Sequence, residues 1–97
     1  MLKVRYSLRA RQEEIELLEY ILDRFGQQKA KQVFDKIEDV LNEISKIPEM
    51  YPSSRKYNKL RKCVFSKQTS IYYRVNNEYI EVVSFRTNRR EPKGFKI

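Results

Sequence analysis

The sequence predicts an α+β fold in the order β-α-α-β-β-β, an antiparallel helical hairpin packed on one face of a mainly antiparallel sheet. Three observations predict it. Apolar residues alternate over residues 2–7 and again in the second half of the chain, the period of two that belongs to half-buried strands. Between those stretches, over residues 8–47, apolar residues recur in steps of three and four, the helical period. Pro48 and Pro52 then divide the helical part from the strand-forming part, because proline cannot continue a helix without losing a hydrogen bond. With 97 residues the chain has room for one core, and a single domain over 1–97 is expected.

The first strand rests on Leu2, Val4 and Tyr6 alternating with Lys3, Arg5 and Ser7. Ser7 is suited to cap the following helix, since its hydroxyl can accept from an otherwise unpaired backbone N–H. The first helix, Leu8 to Phe25, carries Ile15, Leu18, Ile21, Leu22 and Phe25 at helical spacing, and Gly26 stands where a left-handed cap is expected. Ala30, Val33, Phe34, Ile37, Val40, Leu41, Ile44 and Ile47 draw one continuous stripe along a second helix. A short loop at Gly26-Gln27-Gln28 makes the two helices antiparallel neighbours. Residues 48–59 are a connector with Pro and Ser. Leu60, Cys63, Val64 and Phe65 supply the next strand, and Thr69 to Val75 alternates cleanly. Asn76-Asn77 offers the positive φ angles of a tight hairpin, and Tyr79 to Arg86 is the last strand, with Ile80 to Val83 at its centre.

Composition narrows the function classes. The chain has no His and one Cys, which excludes a conventional zinc site and the usual Ser–His or Cys–His chemistry. Only Gly26 and Gly94 are present, so no Gly-rich phosphate loop exists and no cofactor is expected. Neither a signal peptide nor a membrane span is evident, and a cytoplasmic protein is the expectation. Residues 1–49 hold nine Lys/Arg and ten Asp/Glu, a charge of −1, whereas residues 50–97 hold twelve and three, a charge of +9. That asymmetry turns the second half toward a polyanion or an acidic protein, with a merely solubilising surface as the plain alternative.

Within that half, Arg61, Lys62 and Lys67 flank one strand, Arg74 lies in the next, and Arg86, Arg89 and Arg90 cluster after the last. Guanidinium groups grip phosphates through two parallel hydrogen bonds, and Tyr72 and Tyr79 could stack beside them. These seven basic residues are the expected binding set for a target or a partner. Tyr73 shares a face with Ile71 and Val75 and is expected in the core, as is Cys63. The paired carboxylates of the helices are expected on solvated faces.

Several segments resemble the RelE/ParE toxin superfamily: Tyr6-Ser7, Phe25-Gly26, Leu60-Arg61-Lys62, Ile71-Tyr72-Tyr73-Arg74-Val75 and Asn88-Arg89-Arg90-Glu91-Pro92, in that order along nearly the whole chain. The resemblance implies a growth-inhibiting toxin neutralised by a cognate antitoxin whose extended or helical segment wraps the domain. An acidic segment would cover Arg61, Arg74, Arg86, Arg89 and Arg90, or pack on the helical hairpin nearby. Members divide into ribosome-dependent mRNA endonucleases and gyrase poisons. The nuclease branch has an arginine opening the strand that here begins Ser70-Ile71, and a Tyr or His near the end, where this chain reads Gly94-Phe95-Lys96-Ile97. Gyrase is therefore the favoured target. The alternatives are a nuclease using Arg74 or Arg90 with Lys67, a non-toxic basic nucleic-acid-binding module, or a relic that only binds antitoxin.

Overall fold

A computed structural model describes residues 2–56, 59–66 and 69–87. The element order is β1 (Lys3–Tyr6), α1 (Leu8–Phe25), α2 (Gln27–Lys46), β2 (Arg61–Val64), β3 (Thr69–Val75) and β4 (Tyr79–Thr87). The strands form one sheet in the order β1-β4-β3-β2. β2–β3 and β3–β4 are antiparallel, while β1 lies parallel to β4, so the sheet is mixed.

Ser7 makes the turn from β1 into α1. Its Oγ accepts from the Ala10 N–H at 2.9 Å and donates to the Val83 carbonyl at 2.9 Å, so the cap also ties the helix start to β4. Gly26 alone joins the helices, ending α1 and capping α2, where a loop of three residues was expected. Its φ of 93° and ψ of 174° are positive-φ but extended, a conformation essentially reserved for glycine.

The core forms where α2 meets the sheet. Ile37, Leu41 and Ile44 pack with Cys63, Ile71, Tyr73, Ile80, Val82 and Phe85, and Ala10 joins them from α1. The stripe of α2 is therefore inward as the sequence predicts, apart from Phe34 and Ile47 at its margins, which are exposed. For α1 only Leu18 and Ile21 of the expected stripe are half-buried, and the inward face is shifted. Ala10 and Glu14 are buried, with Leu17 packed against the core, while Ile15, Leu22 and Phe25 are exposed and Leu8 is 92% exposed. Ala10, Glu14 and Leu17 follow helical spacing, so they form the one face of α1 that turns inward.

One further expectation is corrected, and one feature is new. Asn76 and Asn77 do not adopt positive φ; among the described residues the non-glycine that does is Lys59. The Asn76 side chain closes the hairpin instead, its Oδ1 accepting from the N–H groups of Glu78 and Tyr79 at 2.9 and 2.8 Å. The register between β3 and β4 also shifts at Tyr72/Tyr73, where Val83 is the extra residue. This bulge resets the alternation, so that Val82 and Phe85, three apart, are both buried.

Candidate functional site

The sheet face turned away from Ile71, Tyr73, Ile80 and Val82 carries the basic side chains. Strand alternation and register assign to it Lys3 and Arg5 of β1, Tyr79, Glu81, Ser84 and Arg86 of β4, Ser70, Tyr72 and Arg74 of β3, and Lys62 and Val64 of β2. Five cations thus face one carboxylate among the described residues.

Of the seven expected binding residues, Lys62, Arg74 and Arg86 lie on this outward face. Lys62 is exposed and its ammonium sits 5.9 Å from the Tyr72 ring centre, while Arg74 and Arg86 are half-buried. Arg61 does not join them. It pairs with Tyr73 on the core-facing side, donates to the Tyr51 carbonyl, and lies 4.0 Å from Glu49, with 18% of its side chain exposed. It pins the connector to β2. Lys67, Arg89 and Arg90 lie outside the described residues.

Sequence reasoning missed the other half of the face. The Arg5 guanidinium lies 4.6 Å from the centre of the Tyr79 ring, with Lys3 directly opposite Tyr79 in register. The signal was present, because Lys3 and Arg5 alternate with Leu2, Val4 and Tyr6. It was hidden by chain position: only the parallel insertion of β1 beside β4 brings these cations next to the C-terminal half.

Of the α1 carboxylates, Glu16, Glu19 and Asp23 are exposed as expected, whereas Glu13 and Glu14 turn inward. Glu14, 3% exposed, accepts from the Tyr6 hydroxyl at 3.0 Å and from Arg11 at 3.1 Å, and Arg11 lies 3.8 Å over the Tyr6 ring. Burial, with the negative charge of Glu14 second, pushes the Tyr6 phenol well above its ordinary range. Glu13 accepts from the Ser84 hydroxyl at 2.7 Å and the Phe85 N–H at 3.1 Å, just past the point where β1 ends opposite Val82. It serves the β4 backbone where no further strand does.

Cys63 is 1% exposed and its thiol is pushed up by burial, so it is a neutral core group, not a thiolate nucleophile. Its hydrogen bond with Tyr51 is the main reason that phenol is pushed up to about 12. Tyr73 is buried as expected and donates to the Pro48 carbonyl at 3.0 Å. Ser70 is fully buried, and its Oγ makes no hydrogen bond among the described residues. The outward face therefore offers cations and aromatic rings, without a described acid–base pair.

A helical hairpin on a four-stranded mixed sheet is the α+β architecture of the RelE/ParE toxins. The sequence matches the model of the ParE toxin of the type II toxin–antitoxin system parDE over residues 4–92. The chain belongs to that family.

Solved structures agree at the level of fold. A chromosomal ParDE toxin–antitoxin system from Pseudomonas aeruginosa superposes with a TM-score of 0.73 at 12% identity, covering 90% of this chain and 96% of that one. A YoeB/ParE toxin from Agrobacterium tumefaciens gives 0.67 at 15% identity, with 90% and 99% covered. The Escherichia coli DinJ–YafQ toxin–antitoxin complex gives 0.61 at 10% identity, with 89% and 91% covered. No curated protein sequence matches the chain. Among the described residues no helix is long and apolar enough to cross a membrane.

Proposed function

We propose that this chain inhibits bacterial growth by docking on DNA gyrase, without cleaving RNA, and that a cognate antitoxin neutralises it. The family match over residues 4–92 carries the reading of toxin and antitoxin. The observation that favours gyrase is the chemistry of the outward face. Phosphodiester cleavage by general acid–base catalysis needs a group that exchanges a proton near neutral pH, and the sequence has no His to supply the commonest one. Ser70, at the position where the nuclease branch carries an arginine, is buried and offers no charge to a scissile phosphate. Lys62, Arg74 and Arg86 then act as docking residues, joined by Lys67, Arg89 and Arg90 of the same basic half. An acidic antitoxin segment fits the same cations, and the P. aeruginosa and E. coli structures, described as toxin–antitoxin systems, support such a partner.

Purified toxin added to gyrase and relaxed plasmid is expected to block supercoiling, while mRNA on programmed ribosomes stays intact. Normal supercoiling together with cleaved mRNA would reverse the assignment to the nuclease branch. Charge reversal at Arg89 and Arg90 is expected to weaken growth arrest, neutralisation or both, as read by induced growth with and without the antitoxin. Unchanged arrest and neutralisation would remove these two arginines from the site.

A further inference from the structure

We infer that the outer side of α1 is a self-association surface, on which a second copy of this chain lays its own α1 antiparallel. This goes beyond the target assignment and does not depend on it. α1 keeps Ala10, Glu14 and Leu17 inward, yet it carries a second apolar line. Leu8, Ile15 and Leu22 stand seven residues apart and are 92%, 42% and 47% exposed. Leu18 and Phe25 come three residues after Ile15 and Leu22; Leu18 is half-buried and Phe25 is 63% exposed. Steps of seven and three are the spacing by which two helices interlock their side chains. Leu18 of α1 and Phe34 of α2 each stand eight residues from Gly26, so the hairpin sets the exposed Phe34 level with the middle of the line.

Charge selects the occupant and its direction. The exposed charges of α1 are basic at the start, Arg9 and Arg11, and mainly acidic further on, Glu16, Glu19 and Asp23 before Arg24. That order runs against the helix dipole, which favours acidic groups near the N-terminus and basic ones near the C-terminus. An antiparallel copy is complementary to it. Leu8 then packs with Phe25 of the second copy and Ile15 with Leu18, while Arg11, with 57% of its side chain exposed, comes within about one helical turn of Glu19. A parallel copy would set Arg11 against Arg11. An anionic lipid surface would meet the three carboxylates beside the line and be repelled. Leu8, Ile15, Leu22 and Phe25 present on the order of 500 Å² per chain, at about 200 Å² for each fully exposed side chain. Two such patches face to face remove about 1,000 Å² from water, the lower end of specific interfaces, so the dimer is reversible with a dissociation constant on the order of 10 µM. Two-fold pairing closes at the dimer. None of the five outward-facing cations lies on α1, so each dimer presents two basic faces.

The test is sedimentation velocity on the purified full-length protein from about 1 to about 200 µM, a range that brackets such a constant. The weight-average mass is expected to climb from 11.8 kDa toward twice that value. Ile15→Glu sets a carboxylate against Leu18 of the second copy and is expected to weaken association at least about tenfold. Met50→Glu adds the same charge on the connector at the same exposure, 42%, and should change the constant less than about twofold. Leu8→Glu stands at the first residue of α1, where a carboxylate suits the dipole. Its urea midpoint should equal or exceed wild type while association falls about fivefold, which separates lost pairing from lost fold. Arg11→Glu and Glu19→Arg each bring like charges together and are expected to weaken self-association about threefold. Mixed in equal amounts they restore both opposite-charge pairs, so the mixture should associate as tightly as wild type, an outcome peculiar to antiparallel pairing. Should Arg11→Glu lose its fold along with its bond to Glu14, Ile15→Glu and Leu8→Glu decide. A mass that stays at 11.8 kDa at the highest concentration would overturn the inference. Flotation of that monomer with phosphatidylglycerol vesicles would then assign the line to a lipid surface, and failure to float would assign it to a helix of another protein. Equal association in Ile15→Glu and Met50→Glu overturns the inference too, as does a mixture of folded Arg11→Glu and Glu19→Arg no tighter than either alone. Growth arrest and supercoiling are separate readouts, so failure here leaves the gyrase assignment standing and the converse holds as well.

Discussion

At the scale of single residues, the side chains that look functional by type divide into those that hold the fold and those that face solvent. Arg61 and Lys62 are adjacent and were equivalent in the sequence, yet strand alternation sends them to opposite faces. Arg61→Ala removes the bond to the Tyr51 carbonyl and is expected to lower stability by about 1–2 kcal/mol, whereas Lys62→Ala should stay within about 0.5 kcal/mol. Urea unfolding of both variants separates loss of fold from loss of function before any growth assay is read. Glu13 is the stronger case. Glu13→Ala strands the Phe85 N–H and the buried Ser84 hydroxyl together, with an expected cost of about 2–3 kcal/mol. A midpoint of urea unfolding close to wild type would show that water replaces the carboxylate there. Nothing in the sequence distinguished Glu13 from the exposed Glu16 and Glu19, because its partners, Ser84 and Phe85, lie some seventy residues away.

At the scale of elements, periodicity established that each helix and strand exists but not always which way it faces. α2 has one apolar stripe, and its burial was legible. α1 carries two candidate faces: Leu8, Ile15 and Leu22 along one line, and Ala10, Glu14 and Leu17 along another. Counting apolar residues favours the first, while the second is the face that the fold buries. The bulge at Val83 was equally hidden, since Val82-Val83-Ser84-Phe85 reads as an unbroken strand in either register. Gly26 has the positive φ the sequence expects, but with an extended ψ and as the sole joint between the helices. No atom lies within 4 Å of an added Cβ, so Gly26→Ala meets no clash and carries only the strain of its backbone conformation. Denaturant unfolding is expected to show a loss of about 1–3 kcal/mol, from that strain alone. An unchanged midpoint would mean that the single-residue joint between α1 and α2 relaxes to a different cap.

At the scale of the whole molecule, the parallel pairing of β1 with β4 is what the sequence did not disclose, and it extends the basic face into the chain's nearly neutral first half. The same topology gathers titratable groups from distant segments around the core. Cys63 of β2, Tyr51 of the connector, Tyr73 of β3 and Tyr6 of β1 all have their proton-bound forms favoured by the fold. Burial dominates for Cys63, Tyr73 and Tyr6, and the hydrogen bond with Cys63 dominates for Tyr51. The sign of the linkage follows. In each case the folded chain holds its proton more tightly than the unfolded chain does, so stability is fully present below the unfolded values, 9.0 for the thiol and 10.0 for the phenols. As pH rises past those values the unfolded state loses protons first, and stability falls until the folded groups titrate, which for Tyr51 extends to about 12. Urea midpoints should be level from pH 7 to about 8.5 with respect to these groups and should decline from about pH 9 upward. In Cys63→Ala the earliest part of that decline is expected to vanish and the phenol-driven part to remain, starting about one pH unit later. An unaltered onset in Cys63→Ala would place the alkaline sensitivity in the tyrosines alone, leaving the thiol as packing with no share in the linkage.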